Sequence, residues 1–294
     1  MKEDSNSFYS HFEQSFTTWA LGINDIRAVF MIGSRARSNH PADIWSDMDM
    51  VIYARNPEQY LMDSDWVQSL GNVISSFVFK TAGNDPERLT LFEGGWQVDF
   101  VIHSFKDLTN MASAKTIPDN FYRGVKVILD KDNLSKDILP KEFAAPEHAP
   151  LTEAQFSTNI EMFWFTAMYI AKQILRNELW VVKERDHDLK TLLLQMIEWH
   201  EKILHGADYD TWHAGRFISE WVSPATYKEL LKTFGHFDKI DSWNALLASI
   251  SLYKTLSHEI SKRADITYKQ EFEDYVYSWI NSHSDSIIAA APNN

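Results

Sequence analysis

Three aspartates on segments with strand character are the residues of this chain whose chemistry is most informative. Asp47 and Asp49 lie in the run 45–53, which is predicted to be a strand, and side chains two positions apart on a strand project to the same face. Asp99 lies on a second such run, 96–102, and is expected to point outward in the same way. If the two strands pair, three carboxylates converge, and such a cluster needs cations. Hard oxygen ligands suit magnesium that is bound together with substrate phosphates.

A glycine and a serine follow a short apolar run upstream of these aspartates. Residues 28–32 are predicted to form a buried strand, which Gly33 and Ser34 end abruptly. Glycine lets the backbone approach a phosphate closely, and the following amides, the serine hydroxyl and a helix N-terminus can bind it. The sequence therefore predicts a phosphate-binding turn, although the lysine and the spacing of a Walker loop are missing.

An alternation of helices and strands is expected to position these residues. The spacing of apolar residues predicts a first helix that contains Phe8 to Ala20 and a second helix from Trp66 to Phe77. The turn Gly94-Gly95 predicts a hairpin between strands 88–93 and 96–102, and 125–129 is a later strand. Three prolines in 140–150 mark a domain boundary, so we expect domains over 1–145 and 146–294.

The C-terminal half is predicted to be all helical. Arg185 to Asp188 is expected to form a charged loop between two helices, and Glu161 and Lys172 share one flank of the first. That flank either faces a cleft or is a solvated edge. The expected fold class is α+β, with a mixed sheet flanked by helices followed by a helical bundle. The predicted helices cover 152–176, 189–204, 224–234, 242–262 and 270–280.

Composition restricts the classes of partner. The 294 residues carry a formal net charge of −13, which makes nucleic acid a poor partner and favours cationic ligands. The absence of cysteine excludes disulfides and thiol catalysis. The first residues lack the regions of a signal peptide and no apolar run is long enough to span a membrane, so we expect a cytoplasmic protein without a membrane partner. We expect a monomer or a weak homodimer.

Together, these motifs resemble a known family. The strand ending in Gly33-Ser34, the Asp47-x-Asp49 motif and the later Asp99 resemble the DNA polymerase β-like nucleotidyltransferase superfamily. The resemblance is closer to the aminoglycoside 6-adenylyltransferase (streptomycin adenylyltransferase) family and covers nearly the whole chain. It rests on segments 28–35, 43–49, 98–100, 161–164, 171–172, 192–199 and 227–231, with departures at Ile32, Trp45 and Met48.

The resemblance implies a Mg²⁺-dependent transfer of AMP from ATP to a hydroxyl of an aminoglycoside. The favoured acceptor is streptomycin at its 6-hydroxyl, with release of pyrophosphate and inactivation of the antibiotic. Asp99 would act as the general base. The implied metal ligands are Asp47, Asp49 and Asp99, the implied nucleotide contacts are Gly33, Ser34, Arg35 and Lys172, and the implied antibiotic contacts are Asp99, Glu161 and Trp164.

Two other functions remain open. The same chemistry is compatible with a different acceptor, such as a lincosamide or a protein hydroxyl. A homologue that binds nucleotide or antibiotic without transfer is also conceivable, but three costly carboxylates argue against a binding module. The sequence leaves open the nucleotide preference, the hydroxyl modified and the physiological role.

Overall fold

The chain folds into two compact units, Met1–Pro146 and Glu147–Asn294. The computed structural model describes residues 5–81, 83–142, 144–146 and 149–288. Within these residues, all strands belong to the N-terminal unit, and the C-terminal unit is built from helices. The predicted α+β fold class, with a mixed sheet followed by a helical region, is confirmed.

The N-terminal unit combines five helices with six strands. Its helices are α1 Ser5–Gly22, α2 Pro57–Met62, α3 Asp65–Gln68, α4 Phe105–Ala114 and α5 Asp119–Tyr122. Its strands are β1 Ile26–Ile32, β2 Met48–Ala54, β3 Val73–Lys80, β4 Pro86–Phe92, β5 Trp96–Ser104 and β6 Val125–Asp130.

The strands form one mixed sheet in the order β3-β4-β5-β2-β1-β6. Strands β2 and β5 are parallel, whereas all other neighbours are antiparallel. The predicted hairpin joins β4 to β5, and Gly94 and Gly95 adopt the positive φ values of +94° and +85° that its tight turn requires. The parallel pair brings the two aspartate-bearing strands side by side at the centre of the sheet.

Both faces of the central strands of the sheet are covered by apolar residues. On one face, one side of α1 packs against alternate residues of β2 and β5, as the period-two spacing predicts. On the other face, Val51 and Tyr53 pack beneath Leu108 of α4 and Phe121 of α5. The first layer includes Phe12, Phe16, Ala20, Met48, Met50, Ile52, Val98, Phe100 and Ile102. Asp49 and Asp99 alternate with these residues and therefore project from the second face.

Two predicted elements of this unit are wrong. Strand β2 begins at Met48 rather than at Trp45, because the Asp43 carboxylate accepts hydrogen bonds from the Trp45 amide (3.0 Å) and the Ser46 hydroxyl (2.7 Å) and so closes a turn. The helix predicted from Trp66 to Phe77 is limited to α3, since residues 73–80 pair with β4. Most residues of this segment, including Val73, Ile74, Phe77 and Val78, are β-branched or aromatic, and such residues favour strands.

Seven helices make up the described part of the C-terminal unit. A capping box starts the first of them, because the Thr152 hydroxyl accepts from the Gln155 amide (3.3 Å) and the Gln155 side chain accepts from the Thr152 amide (3.0 Å). The helices are α6 Glu153–Leu175, α7 Leu179–His205, α8 Ile218–Trp221, α9 Pro224–Leu230, α10 Lys239–Ala264, α11 Gln270–Ser282 and α12 Ser284–Ile288. No helix in the part of the chain that the structure describes is long and apolar enough to cross a membrane.

The loop predicted at Arg185 to Asp188 is wrong, because these residues lie inside the 27-residue helix α7. Their charges form pairs one turn apart: Arg185 donates to Asp188 (2.9 Å) and Lys190 donates to Asp186 (2.6 Å). Such pairs stabilise a helix. A charged tetrapeptide therefore continues the helix here instead of interrupting it.

Candidate active site

Asp49 and Asp99 lie directly opposite each other on the parallel strands β2 and β5. On its other side, Asp49 is paired with Ile32, the last residue of β1. Because paired residues project from the same face, both carboxylates stand at one end of the face that Val51 and Tyr53 cover further along. Both aspartates are half-buried. The structure thus brings together two of the three predicted carboxylates through strand register alone.

Gly33, the residue after β1, lies against the Asp49 carboxylate. Its φ of +72° is in the left-handed region, and a Cβ atom built on it would lie 2.4 Å from the Asp49 Oδ2 atom. No side chain fits in that space, so glycine is required both by the backbone conformation and by the close approach. The carboxylate of Asp49 and the backbone of the turn are therefore adjacent.

Asp99 is held in an environment that favours its protonated form. Burial, together with the smaller effect of the negative charges of Asp49, Glu87 and Asp47, raises the pKa of Asp99 to about 7. The Gln97 side-chain amide opposes this shift, since it donates to Oδ1 (3.1 Å) and Oδ2 (3.0 Å) of Asp99. A carboxylate that exchanges its proton near neutral pH is suited to general-base catalysis.

Arg35 supports the segment that carries Asp47. Its Nε donates to the Asp47 carbonyl (3.0 Å) and its Nη2 to the Ser46 carbonyl (2.7 Å). The guanidinium carbon lies 3.5 Å from the centre of the Tyr9 ring. Tyr9 in turn donates to the Gln97 carbonyl (3.1 Å). This chain of contacts links the Asp47 segment to β5.

The turn at Gly33 differs from the expectation in one respect. Residues Gly33–Arg35 form a single 3₁₀ turn, and no α-helix begins there. A contribution of a helix N-terminus to phosphate binding was therefore wrongly expected. The Ser34 hydroxyl makes no hydrogen bond with the residues that the structure describes, which leaves it available as a donor. That Gly33, Ser34 and Arg35 bind phosphates stays a prediction.

The carboxylates fit a metal that is completed by substrate. Among the described residues, no three His, Asp or Glu side chains are arranged as a ready set of metal ligands. The three predicted aspartates therefore form no closed cage. Magnesium commonly uses one or two carboxylates together with phosphate oxygens, and the acidic pair beside the open backbone at Gly33 has this character.

The predicted site residues of the C-terminal unit have diverse environments. Lys172 is exposed, with its ammonium 5.7 Å from the centre of the Trp279 ring. Glu161 lies on the surface and accepts a hydrogen bond from the Lys269 ammonium, so its charge is already paired. Trp164 is fully buried.

The prediction that Trp164 stacks on a ligand does not agree with this structure. Its ring packs edge-on against Phe163 and Tyr253, with centroid distances of 5.7 and 6.4 Å. An indole enclosed in the helical core has no open face for a planar cation. The helical spacing that places it in the apolar stripe of α6 explains this position.

Three residues near the carboxylates were missed by sequence reasoning. Gln97 lies two positions from Asp99 on β5, and Glu87 lies two positions from Leu89, the β4 residue that is paired with Asp99. The register of the predicted hairpin could therefore have placed both side chains on the face of Asp99. Tyr9 reaches the site from α1, and nothing in its local sequence indicates this.

A mixed sheet that aligns two aspartates beside a glycine turn is the arrangement expected of a nucleotidyltransferase. The family model described as streptomycin adenylyltransferase matches residues 10–283, and the chain belongs to this family. The family and the enzyme class predicted from the sequence are confirmed. Membership supports adenylyl transfer to aminoglycosides and a nucleotide substrate.

The chain is also similar to individual proteins over most of its length. Aminoglycoside 6-adenylyltransferase from Bacillus subtilis (strain 168) is 24% identical over 269 residues, covering 88% of this chain and 91% of the relative. The enzyme of the same name from Staphylococcus aureus is 24% identical, covering 90% and 94%. A crystal structure of an aminoglycoside 6-adenyltransferase from Bacillus subtilis matches with 19% identity and a TM-score of 0.43, covering 96% of this chain and 97% of that one.

Proposed function

We propose that the protein transfers AMP from ATP to a hydroxyl of an aminoglycoside, with magnesium as cofactor. The favoured acceptor is streptomycin at its 6-hydroxyl, and the transfer would inactivate the antibiotic. Family membership supplies the reaction class. The observation that carries the residue assignment is the pairing of Asp49 with Asp99 beside the backbone of Gly33.

The reaction requires a base, a binding site for the leaving group and charge neutralisation. Asp99 accepts the proton of the acceptor hydroxyl, whose oxygen forms a bond to the α-phosphorus as the bond to the bridging oxygen of pyrophosphate breaks. The Gly33 backbone and the Ser34 hydroxyl bind the departing phosphates. A magnesium ion bound by Asp47 and Asp49 together with the triphosphate would neutralise its negative charge. Positioning and charge account for catalysis, so no covalent nucleophile is needed.

The charge of the chain supports a cationic acceptor. A net charge of −13 attracts a polycation such as streptomycin, whose guanidinium groups form bidentate pairs with carboxylates. The predictions that Lys172 contacts the nucleotide and that Glu161 contacts the antibiotic stay predictions. Lys172→Ala should raise the KM for ATP, and Glu161→Gln should raise the KM for the antibiotic.

The test is a pyrophosphate-release assay with ATP, magnesium and a panel of aminoglycosides, followed by mass spectrometry of the products. Streptomycin should gain one adenylyl group. Asp49→Asn should abolish transfer in a folded protein, whereas Glu58→Gln, an exposed control with the same change of charge, should not affect it.

Two results would count against the proposal in different ways. Wild-type turnover by a folded Asp49→Asn variant would contradict the assignment of Asp49 as a metal ligand. Efficient adenylylation of another hydroxyl compound without any transfer to streptomycin would change the acceptor and leave the reaction class intact.

A further inference from the structure

The row of paired residues that contains Asp49 and Asp99 continues across two more strands. Asp99 is paired with Leu89 of β4, and Leu89 is paired with Phe77 of the edge strand β3. One row further, Val101 is paired with Glu87, and Glu87 with Phe79. Paired residues project from the same face, so Phe77, Phe79, Glu87 and Leu89 extend the face that carries the carboxylates. We call these four residues the β3–β4 surface.

The β3–β4 surface exposes large apolar side chains next to the acidic pair. Phe77 is 54% exposed and Phe79 is 63% exposed. Leu91, on the same face of β4, is 38% exposed. Neighbouring exposed aromatic residues beside a reactive centre are typical of a surface that contacts a ligand.

Glu87 is a half-buried carboxylate on this surface that lacks a cationic partner. Within the part of the chain that the structure describes, no lysine, arginine or histidine pairs with it. Burial raises the pKa of Glu87, and the charge of Asp49 adds to that effect. Glu161, by contrast, is already paired with Lys269. A partly desolvated carboxylate without a partner is costly, and a cationic group on a ligand would remove that cost.

The order of the strands indicates which substrate lies here. In an in-line displacement, the attacking and leaving oxygens lie on opposite sides of the phosphorus. If Gly33 at the end of β1 binds the departing phosphates, the acceptor must approach from the opposite direction. The order β1-β2-β5-β4 places Asp99 and then β4 on that side.

We propose that the β3–β4 surface is the acceptor site, where Glu87 pairs with an ammonium or guanidinium group of the aminoglycoside. Phe77 and Leu89 contact its ring, and the aromatic face of Phe77 contacts any planar cation that it carries. This inference rests on the proposed function, because it uses the direction of the transfer. It makes Glu87 a residue that selects cationic acceptors over neutral hydroxyl compounds.

The test compares matched variants in steady-state kinetics and in calorimetry. Glu87→Gln should raise the KM for streptomycin about tenfold or more and leave the KM for ATP unchanged, because a charge-assisted hydrogen bond is lost. Phe77→Ala should raise the streptomycin KM several-fold, whereas Val78→Ala, on the opposite face of the same exposed strand, should not. Streptomycin titrated calorimetrically into each variant, in the presence of magnesium and a non-hydrolysable ATP analogue, should give affinities that rank the variants as the KM values do. Thermal melting of each variant verifies its fold.

The possible results separate the inference from the proposed function. If the wild type transfers AMP to no aminoglycoside, the proposed function fails and the acceptor site fails with it. If the wild type is active and Glu87→Gln keeps full affinity for streptomycin, only the acceptor site is overturned. A Glu87→Gln variant that instead loses affinity for the ATP analogue would assign Glu87 to nucleotide or metal binding. Equal effects of Phe77→Ala and Val78→Ala would mean that strand stability, not contact with the acceptor, explains both.

Discussion

Replacement of Gly33 by alanine tests whether the turn must touch the Asp49 carboxylate. The φ of +72° at Gly33 makes an alanine cost about 1–2 kcal/mol of folding stability. The added Cβ would lie 2.4 Å from Asp49 Oδ2, whereas ordinary van der Waals contact begins at 3.4 Å. The difference, 3.4 − 2.4, means that the carboxylate has to move by about 1 Å.

The displacement should affect turnover more than stability. Because a misplacement of about 1 Å in an active site can reduce the rate about 100-fold, Gly33→Ala should lower kcat by roughly that factor. Urea unfolding should show a loss of about 1–2 kcal/mol. Pyrophosphate release at saturating ATP and acceptor measures the first quantity, and the midpoint and slope of urea denaturation measure the second.

Gly95→Ala is the matched control for this substitution. Gly95 has a similar φ of +85°, but a Cβ built on it meets no atom within 4 Å. The control should therefore lose a similar amount of stability and keep its turnover. Equal losses of turnover in the two variants, or wild-type turnover in folded Gly33→Ala, would refute the reasoning that the glycine positions Asp49.

Three further predictions concern Asp99, Arg35 and Tyr253. The pKa of Asp99 in the folded protein is raised to about 7. The stabilisation that its proton contributes is therefore fully present below about pH 4 and is lost as the pH rises through 7. In the absence of metal and nucleotide, Asp99→Asn should therefore raise the urea midpoint at pH 8 and change it little at pH 4. An unchanged midpoint at pH 8 would contradict the inference that the charged form of Asp99 destabilises the fold. Arg35→Ala removes two hydrogen bonds to the segment before β2 and should raise the magnesium concentration for half-maximal activity several-fold, which a titration at fixed ATP would reveal or exclude. Tyr253→Phe removes the donor to the buried Asn159 side chain (2.6 Å) and should cost about 1–3 kcal/mol in urea unfolding, whereas the same change at Tyr275, which is 68% exposed, should cost nothing measurable.

Local periodicity predicted the orientation of the aspartates within their strands. Met48 and Met50 alternate with Asp49, and Val98 and Phe100 with Asp99, so a period of two assigns one buried face and one acidic face. The same rule applied along the hairpin could have placed Glu87. This information is local, because each side chain needs only its own strand to determine its direction.

Other features depend on contacts distant in sequence, which a single segment does not specify. Phe77 has a spacing that also fits a helix, and only pairing with β4 makes it part of a strand. Trp164 shares an apolar stripe with core residues, and whether its ring is enclosed depends on α10. Tyr9 contacts the site only because α1 packs on the sheet.

The parallel pairing of β2 with β5 has a consequence for the order of folding. Asp49 and Asp99 become neighbours only after the chain has passed through β3 and β4, whose hairpins close short loops and can form first. If β2 and β5 pair after the main barrier to folding, the repulsion between the carboxylates is absent from the transition state. An interaction absent from the transition state changes the unfolding rate and not the folding rate. In the absence of cations, the acidic pair is therefore expected to shorten the lifetime of the native state without slowing its formation.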